Sequence, residues 1–191
     1  MTDIEIIRLL LQGDRDKFRI LVERYQSMVF RTCMGFLHNK DDADDLTQDV
    51  FIQVYKSLSG FKGEAAFSTW IYRIAVNASL NKVRKNSRNP VLNRLDSLFD
   101  SGKEKKNLLP DFDHENPESI LIRQEYSNWV QEALDRLPEN QRTAIVLSKY
   151  DDLSQKEIAE IMKTTEGAVE ALIQRAKKNL RLTLSSQKKN K

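Results

Sequence analysis

Apolar residues recur at intervals of three and four along most of the chain, which is the spacing of amphipathic helices. This pattern predicts a short helix over residues 3–11 with Gly13 as its stop. A long helix should follow, capped by Asp14 and ending near Leu37. Gly and Pro are scarce, at 6 and 4 of 191 residues, which argues against a turn-rich β fold. The predicted fold class is therefore all-α.

Residues 41–85 predict two more helices, joined by a short loop with two glycines and two phenylalanines. The first should be capped by Asp41 or Asp42 after a turn over 39–41, and the second by Ser68, with Phe67 as the preceding staple residue. The predicted buried stripes are Ala43, Leu46, Val50, Phe51, Val54, Tyr55 and Leu58 in the first helix, and Trp70, Ile71, Ile74, Ala75 and Ala78 in the second.

Periodicity is lost over residues 87–117, which are rich in polar and acidic residues and contain three prolines. This composition predicts an extended linker with a weak turn near 92–99. Two small helical domains are thus expected, over residues 1–86 and 118–184, with a polar tail over 185–191. In the second domain, helices are expected from 118 to about 137, over 139–150, over 155–162 with a capping box at Ser154 and Glu157, and from Thr165 to about Leu182.

Three polar surfaces are candidates for binding. The first is an acidic helix face, and its bland interpretation is a solvated surface. The second is the aromatic loop, which could receive unstacked bases or could simply be pinned to the core by its two phenylalanines. The third is the polar face of the following helix, whose Arg and Asn side chains suit phosphates and base edges. The acidic helix face consists of Asp44, Asp45, Gln48 and Asp49. The aromatic loop contributes Phe61, Lys62 and Phe67, and the polar face of the following helix consists of Arg73, Asn77, Asn81 and Arg84.

The last two helices have the spacing of a helix-turn-helix, whose second helix normally enters the major groove of DNA. Any three-helix domain can show this pattern, but the basic end of the last helix favours DNA binding. The predicted core positions are Val169, Leu172, Ile173, Ala176 and Leu180, and the predicted outer positions are Glu166, Glu170, Ala171, Gln174, Lys177, Lys178 and Arg181, with Arg175 at the edge.

Two ordered sets of motifs make the pattern more specific. The stretches DDLTQDVF (44–51) and FKGEAAFSTWIYRIAVN (61–77) resemble region 2 of bacterial sigma-70-family factors. The stretches LPENQR (137–142), LSQKEIAE (153–160), GAVE (167–170) and RAKKNLR (175–181) resemble region 4 of the same family. The small extracytoplasmic-function (ECF) group is the most similar group, and the resemblance covers both ends of the chain.

The resemblance implies a promoter-specificity subunit with core RNA polymerase and promoter DNA as partners, and with an anti-sigma factor as a further partner. It implies contact with a coiled coil of the largest polymerase subunit through Asp44, Asp45, Leu46, Gln48 and Asp49. It implies −10 element binding by Phe61, Lys62, Phe67, Ser68, Trp70, Arg73 and Asn77. It implies −35 element binding by Thr165, Glu170, Ala171, Gln174, Arg175 and Lys178.

Three positions depart from the family pattern. Family members often have Gly where this chain has Lys163, a basic residue where it has Glu170, and Arg where it has Leu172. A carboxylate facing the groove repels phosphates, although it can accept a hydrogen bond from a cytosine amino group. The preferred −35 sequence is therefore expected to differ from the commonest one.

The remaining composition points to no catalytic site, cofactor or metal. The net charge is only +3, and Cys33, the one cysteine, cannot form an internal disulfide. His38 and His114 have no companions at ligand spacing, and the five aspartates of 41–49 spread around a helix axis. No signal peptide or membrane-spanning stretch is evident, so a cytoplasmic protein without membrane insertion is expected. The alternatives to a promoter-specificity subunit are a free-standing helix-turn-helix regulator that binds DNA as a dimer and, more distantly, an RNA-binding module.

Overall fold

The computed structural model describes residues 1–88 and 117–189, and these residues form α-helices joined by short turns. The all-α fold class is confirmed. The helices are α1 (Asp3–Leu11), α2 (Phe18–Leu37), α3 (Lys40–Ser57), α4 (Phe67–Arg88), α5 (Pro117–Asp135), α6 (Glu139–Tyr150), α7 (Gln155–Met162) and α8 (Glu166–Lys189).

The N-terminal half is a bundle built around α2, which packs against α1, α3 and α4. Its core is formed by most of the apolar positions predicted from the sequence, and Leu21, Val29, Val50 and Ile71 are fully buried. Tyr55, which was predicted to be buried, is instead 42% exposed. Burial of such side chains contributes about 1.5–3 kcal/mol each. The bundle therefore holds α3 and α4 rigidly, with their polar faces outward.

Several predicted helix starts are wrong by a few residues. Helix α3 begins at Lys40, because the side chain of Asn39, rather than Asp41 or Asp42, accepts a hydrogen bond from the Asp42 amide. Ser68 does not cap α4 but lies inside its first turn. A short 3₁₀ turn, Arg15–Lys17, precedes α2, and Asp14 makes no capping hydrogen bond.

Two predicted caps in the C-terminal half are confirmed. Ser154 accepts a hydrogen bond from the Glu157 amide, and the Glu157 carboxylate accepts one from the Ser154 amide. Thr165 Oγ1 accepts a hydrogen bond from the Ala168 amide at the start of α8. Helix α8 extends to Lys189, beyond the predicted end near residue 182, because its polar last turns contain no helix breaker.

The proposed division of the chain at residues 86 and 117 stays a prediction. Helix α4 ends at Arg88 and α5 begins at Pro117. The predicted turn over 92–99 and nearly all of the predicted linker lie outside the described residues.

The two halves pack against each other through one shared apolar cluster. Phe36 of α2 and Tyr72 and Val76 of α4 join residues of α6, α7 and α8 in this cluster. Helix α2 contacts α6, and α4 contacts α7. The polar face of α4 consequently lies beside the C-terminal half.

The turn between α7 and α8 provides a test of backbone strain. Lys163 adopts the left-handed conformation, with φ 54° and ψ 49°. This conformation costs a non-glycine residue about 1 kcal/mol. We expect Lys163→Gly to raise the free energy of unfolding by about 1 kcal/mol in urea titrations. Lys163→Ala, which keeps the strain but removes the charge, is the control and should give no increase; an equal increase in both variants would contradict the explanation.

Candidate polymerase and nucleic-acid interfaces

The acidic face of α3 is formed by Asp44, Asp45, Gln48 and Asp49, all of which are exposed. Their helical spacing places the four side chains on one side of the helix. Among the residues whose side chains the structure describes, 1–86 and 126–186, none of these three carboxylates lies within ion-pair distance of a Lys or Arg side chain. The face therefore presents three uncompensated negative charges.

Leu46 does not share that face. Its side chain is 7% exposed and belongs to the core of the N-terminal bundle. The apolar pattern predicts this burial, whereas the family resemblance implies that Leu46 contacts the polymerase. The structure instead gives it a supporting position beneath the acidic face.

The loop before α4 carries a cluster of aromatic rings. Phe67 packs between Tyr25, Phe61 and Trp70, with ring centroids 5.7, 5.2 and 5.5 Å from its own. Phe67 is only 4% exposed, so its position fits the interpretation that it pins the loop to the core. Phe61 and Trp70 are half-buried, and Lys62 is exposed.

The polar face of α4 meets the C-terminal half. Arg73 donates hydrogen bonds from Nη2 to the carbonyl oxygen of Glu160, at 2.7 Å, and from Nε to that of Ile161, at 3.3 Å. Asn77 is exposed and lines the same cleft as Arg73 and Trp70. Sequence reasoning placed these side chains together but missed the partners of Arg73, which are backbone atoms.

The outer face of α8 is formed by polar residues around a buried stripe. Val169 and Ala176 are fully buried, and Ile173 is 7% exposed, as the sequence predicted. Ala171 is half-buried, whereas most of the outer positions are exposed: Thr165, Glu166, Glu170, Gln174, Arg175, Lys177, Lys178 and Arg181. In the part of α8 whose side chains are described, the four basic residues form no ion pair. The face is basic toward its C-terminal end and acidic at its start.

A buried arginine joins the two halves of the chain. Arg142 of α6 is 2% exposed and donates a hydrogen bond to the carbonyl oxygen of Phe36, at 2.5 Å, near the end of α2. It also donates to the Asp135 carboxylate, and its guanidinium lies 5.7 Å from the Phe36 ring centroid. Burial lowers the pKa of Arg142, although an arginine remains charged in proteins.

A buried carboxylate forms a second link between the halves. Asp151, after α6, has a solvent-inaccessible side chain and accepts a hydrogen bond from Thr32 Oγ1 at 2.9 Å. Its Oδ1 atom lies 3.5 Å from Arg31 Nε. Burial raises the pKa of the Asp151 carboxyl, since the Thr32 and Arg31 interactions only partly offset the loss of hydration.

Comparisons with known proteins identify the family. The family model described as Sigma-70 region 2 matches residues 21–89, and that described as Sigma-70, region 4 matches residues 127–180. The chain belongs to the sigma-70 family. It is 35% identical over 181 residues to the ECF RNA polymerase sigma-E factor of Escherichia coli K12, covering 93% of this chain and 91% of that protein. It is 33% identical over 178 residues to the RNA polymerase sigma-H factor of Pseudomonas aeruginosa, covering 92% and 90%.

Solved structures support the same fold for this sigma factor. A structure of CnrH in complex with the cytosolic domain of CnrY aligns with a TM-score of 0.62 at 23% identity, covering 96% of this chain and 97% of that one. The sigma factor RpoE from Bartonella quintana, in complex with the anti-sigma factor NepR, aligns with a TM-score of 0.58 at 20% identity, covering 88% and 96%.

The described residues contain neither a metal-binding cluster nor a membrane-spanning helix. Across residues 1–88 and 117–189, no group of three or more His, Cys, Asp or Glu side chains could hold a metal ion. No helix in the same part of the chain is long and apolar enough to cross a membrane. Cys33 is fully buried, and burial raises the pKa of its thiol.

The contact between the halves of this sigma factor should weaken in acid. His38 has a side chain 7% exposed, 3.7 Å from Asp135. Burial lowers the pKa of His38 from 6.5 to about 4. The attraction of the protonated ring to Asp135 opposes this shift, and the nearby positive charge of Arg142 adds to it. As the pH falls, His38 binds a proton at a higher pH in the unfolded chain than in the folded chain. The free energy of unfolding therefore decreases as the pH falls from 6.5 toward 4. Between pH 7 and 5 we expect His38 to lower the free energy of unfolding by about 2 kcal/mol.

Urea unfolding of the wild type and of His38→Asn at several pH values measures this effect. Asn tolerates the left-handed backbone of His38, which has φ 56°. The variant lacks the titrating group, whereas all other titrating groups are common to both proteins. The wild-type free energy should therefore fall more steeply with acidification; parallel profiles would show that His38 is not responsible.

Proposed function

We propose that this sigma factor binds core RNA polymerase, recognises −10 and −35 promoter elements and supports transcription initiation without catalysing a reaction itself. The observation that carries the proposal is that this chain, a member of the family, presents two oppositely charged surfaces. An uncompensated acidic face on α3 suits a basic protein partner, and a basic face on α8 suits DNA. The expected location is the cytoplasm, where the polymerase acts.

The acidic face is proposed to dock on a coiled coil of the largest polymerase subunit. Asp44, Asp45 and Asp49 would meet basic side chains there, with Gln48 forming a hydrogen bond and Leu46 holding the helix in place from below. Exposed charges of one sign steer the encounter of two proteins and specify the partner. Such a face would be useless to a free-standing regulator and repulsive toward RNA.

The aromatic loop and α4 are proposed to bind the −10 element. A base flipped from the duplex would lie against the half-buried rings of Phe61 and Trp70, beside Lys62 and Ser68. Flipping costs a few kcal/mol, which these contacts must offset. Phe67 would support the two rings rather than stack on the base, and Arg73 and Asn77 would hold the adjacent strand.

The outer face of α8 is proposed to enter the major groove of the −35 element. Arg175 and Lys178 would contact the groove and its phosphates, and Gln174 and Ala171 would face the bases. Thr165 and Glu170 lie near the start of α8, where Glu170 can accept a hydrogen bond from cytosine. Two weak contacts on one polymerase gain from effective concentration, because the second is intramolecular.

An anti-sigma factor is the further partner we propose. The two solved structures cited above are complexes of similar chains, one with the cytosolic domain of CnrY and one with the anti-sigma factor NepR. A partner of this kind would block the surfaces on α3 and α4. The alternative of a free-standing dimeric regulator requires half-site spacing and a dimer surface, and is the hypothesis to pursue if polymerase binding fails.

Co-elution with bacterial core RNA polymerase during size-exclusion chromatography, with no DNA present, tests the proposal directly. We expect a stable complex. Failure to co-elute, with the chain shown to be folded and the core shown to be active, would contradict the proposal and favour the free-standing regulator.

The acidic face should be essential for that complex. The double variant Asp45→Lys and Asp49→Lys should retain its helical circular dichroism, since both side chains are exposed, and should lose at least tenfold in affinity for core polymerase. This factor corresponds to about 1.4 kcal/mol. Asp16→Lys with Glu23→Lys makes the same change in charge at exposed positions on another face and should bind normally. Undiminished binding by the first variant would remove α3 from the contact.

The basic face of α8 should show the salt dependence of phosphate contacts. Lys178→Ala should weaken binding of the assembled polymerase to promoter DNA and reduce the slope of log affinity against log salt by about 0.9. Lys56→Ala, which removes an exposed lysine of α3, is the control and should leave the slope unchanged. Identical slopes for the two variants would argue against a phosphate contact at Lys178.

A further inference from the structure

A cleft of about 480 Å³ lies between α4, the start of α6 and the end of α7. Clefts that bind small molecules have volumes of about 300–1,000 Å³, and their walls are mostly apolar with a few polar groups. The walls of this cleft have the same composition, because Trp70, Ile74 and Leu80 line it together with several polar side chains. Its size and lining therefore suit a small molecule.

Arg73 and Lys163 form a positively charged end of this cleft. Arg73 caps α7, because it donates hydrogen bonds to the carbonyl oxygens of Glu160 and Ile161 in the last turn of that helix. A guanidinium carries five N–H donors, so other donors of Arg73 remain available. Lys163 is exposed. Among the described side chains, no carboxylate lines the cleft or pairs with either cation. This end of the cleft is therefore complementary to an anion.

Lys163 lines the cleft from a strained backbone position. Its left-handed conformation, with φ 54° and ψ 49°, is unfavourable for any residue with a side chain. Residues held in such conformations are concentrated at ligand-binding and catalytic sites, where the side chain has a use that offsets the strain. A lysine at this position therefore fits a binding role for its ammonium group.

Two amide side chains lie farther along the same cleft. Asn77 follows Arg73 by four residues on α4, which corresponds to about 6 Å along the helix axis. Asn140 belongs to the first turn of α6, and both asparagines are exposed and line the cleft. An asparagine amide presents a donor beside an acceptor and pairs with N6 and N7 of adenine. The spacing of the cations and the amides thus suits a phosphate and a base joined by one ribose.

We propose that this cleft is a binding site for an adenine mononucleotide. The phosphate lies between Arg73 and Lys163, which hold it through charge-assisted hydrogen bonds. The base pairs with the amides of Asn77 and Asn140 and lies against the apolar wall that includes Trp70, since every base has a flat face that packs on aromatic rings. One ligand thus contacts α4, α6 and the turn after α7.

The nucleotide shares Trp70, Arg73 and Asn77 with the proposed −10 surface. A bound mononucleotide and a promoter strand therefore compete for these side chains, and this consequence rests on the proposed function. The binding site itself does not rest on it, because the chain alone supplies every wall of the cleft. Binding can consequently be measured with neither polymerase nor promoter present.

Isothermal titration calorimetry of the full chain with adenosine monophosphate tests the proposal. Adenosine, ribose 5-phosphate and inorganic phosphate are titrated separately as parts of the same ligand. We expect adenosine monophosphate to bind at least tenfold more tightly than any of the three, because only the whole nucleotide reaches both the cations and the amides. Absence of measurable binding by adenosine monophosphate would overturn the proposal. Equal affinity for inorganic phosphate would also overturn it, because the cleft would then bind simple anions.

Two variants at exposed positions separate the two ends of the site. Lys163→Ala should weaken the binding of adenosine monophosphate and of ribose 5-phosphate at least fivefold, because both ligands carry the phosphate. Asn140→Ala should weaken the binding of adenosine monophosphate at least threefold and leave that of ribose 5-phosphate unchanged, because only the first carries the base.

Lys156→Ala is the matched control for the loss of charge. Lys156 is an exposed lysine of α7 that does not line the cleft, so this variant should bind adenosine monophosphate as the wild type does. An equal loss of affinity in Lys156→Ala and Lys163→Ala would overturn the proposal, since the effect would then come from net charge. Co-elution with core polymerase decides the proposed promoter function separately, so the two failures are distinguishable.

Discussion

The packing of the N-terminal half against the C-terminal half depends on one buried positive charge, the guanidinium of Arg142. Arg142 is almost fully inaccessible, and an unpaired buried charge costs several kcal/mol. Its partners come from both sides of the junction, since Asp135 belongs to α5 and the Phe36 carbonyl lies near the end of α2. Removing α2 would leave the guanidinium with one of these partners and expose the Phe36 ring. The packing of the two halves therefore supplies a hydrogen bond that the buried guanidinium requires.

The junction also explains a glycine that the N-terminal bundle alone does not require. A glycine in a helix interior costs about 1 kcal/mol relative to alanine. Gly35 is buried in α2, and its missing side chain gives Val146 and Tyr150 of α6 their space. Gly35 thus makes α2 by itself less stable than an alanine would, and the close packing of α6 against α2 offsets this cost. Such a glycine is a signal that sequence reasoning could have used.

Sequence pattern predicted the helices and their buried stripes well, because apolar spacing reflects burial directly. It was less accurate for caps, since Asn39, Asp41 and Asp42 are all good capping residues and only the backbone decides among them. It also predicted that the polar residues of α3 share one face, which the buried Leu46 does not. It could not predict that Arg73 caps α7, because its partners are main-chain carbonyls, which every residue possesses and no residue type reveals.

The three departures from the family pattern have different physical weight in this structure. Lys163 affects the backbone, because it takes the left-handed conformation that glycine adopts most readily, and it also lines the cleft opposite Arg73. Leu172 is half-buried and belongs to the core beneath α8, so its side chain contributes to packing. Glu170 is exposed on the outer face of α8. Of the three, Glu170 is therefore the one whose chemistry can act directly on DNA, by repelling phosphates and by favouring a cytosine amino group over acceptor-bearing base edges.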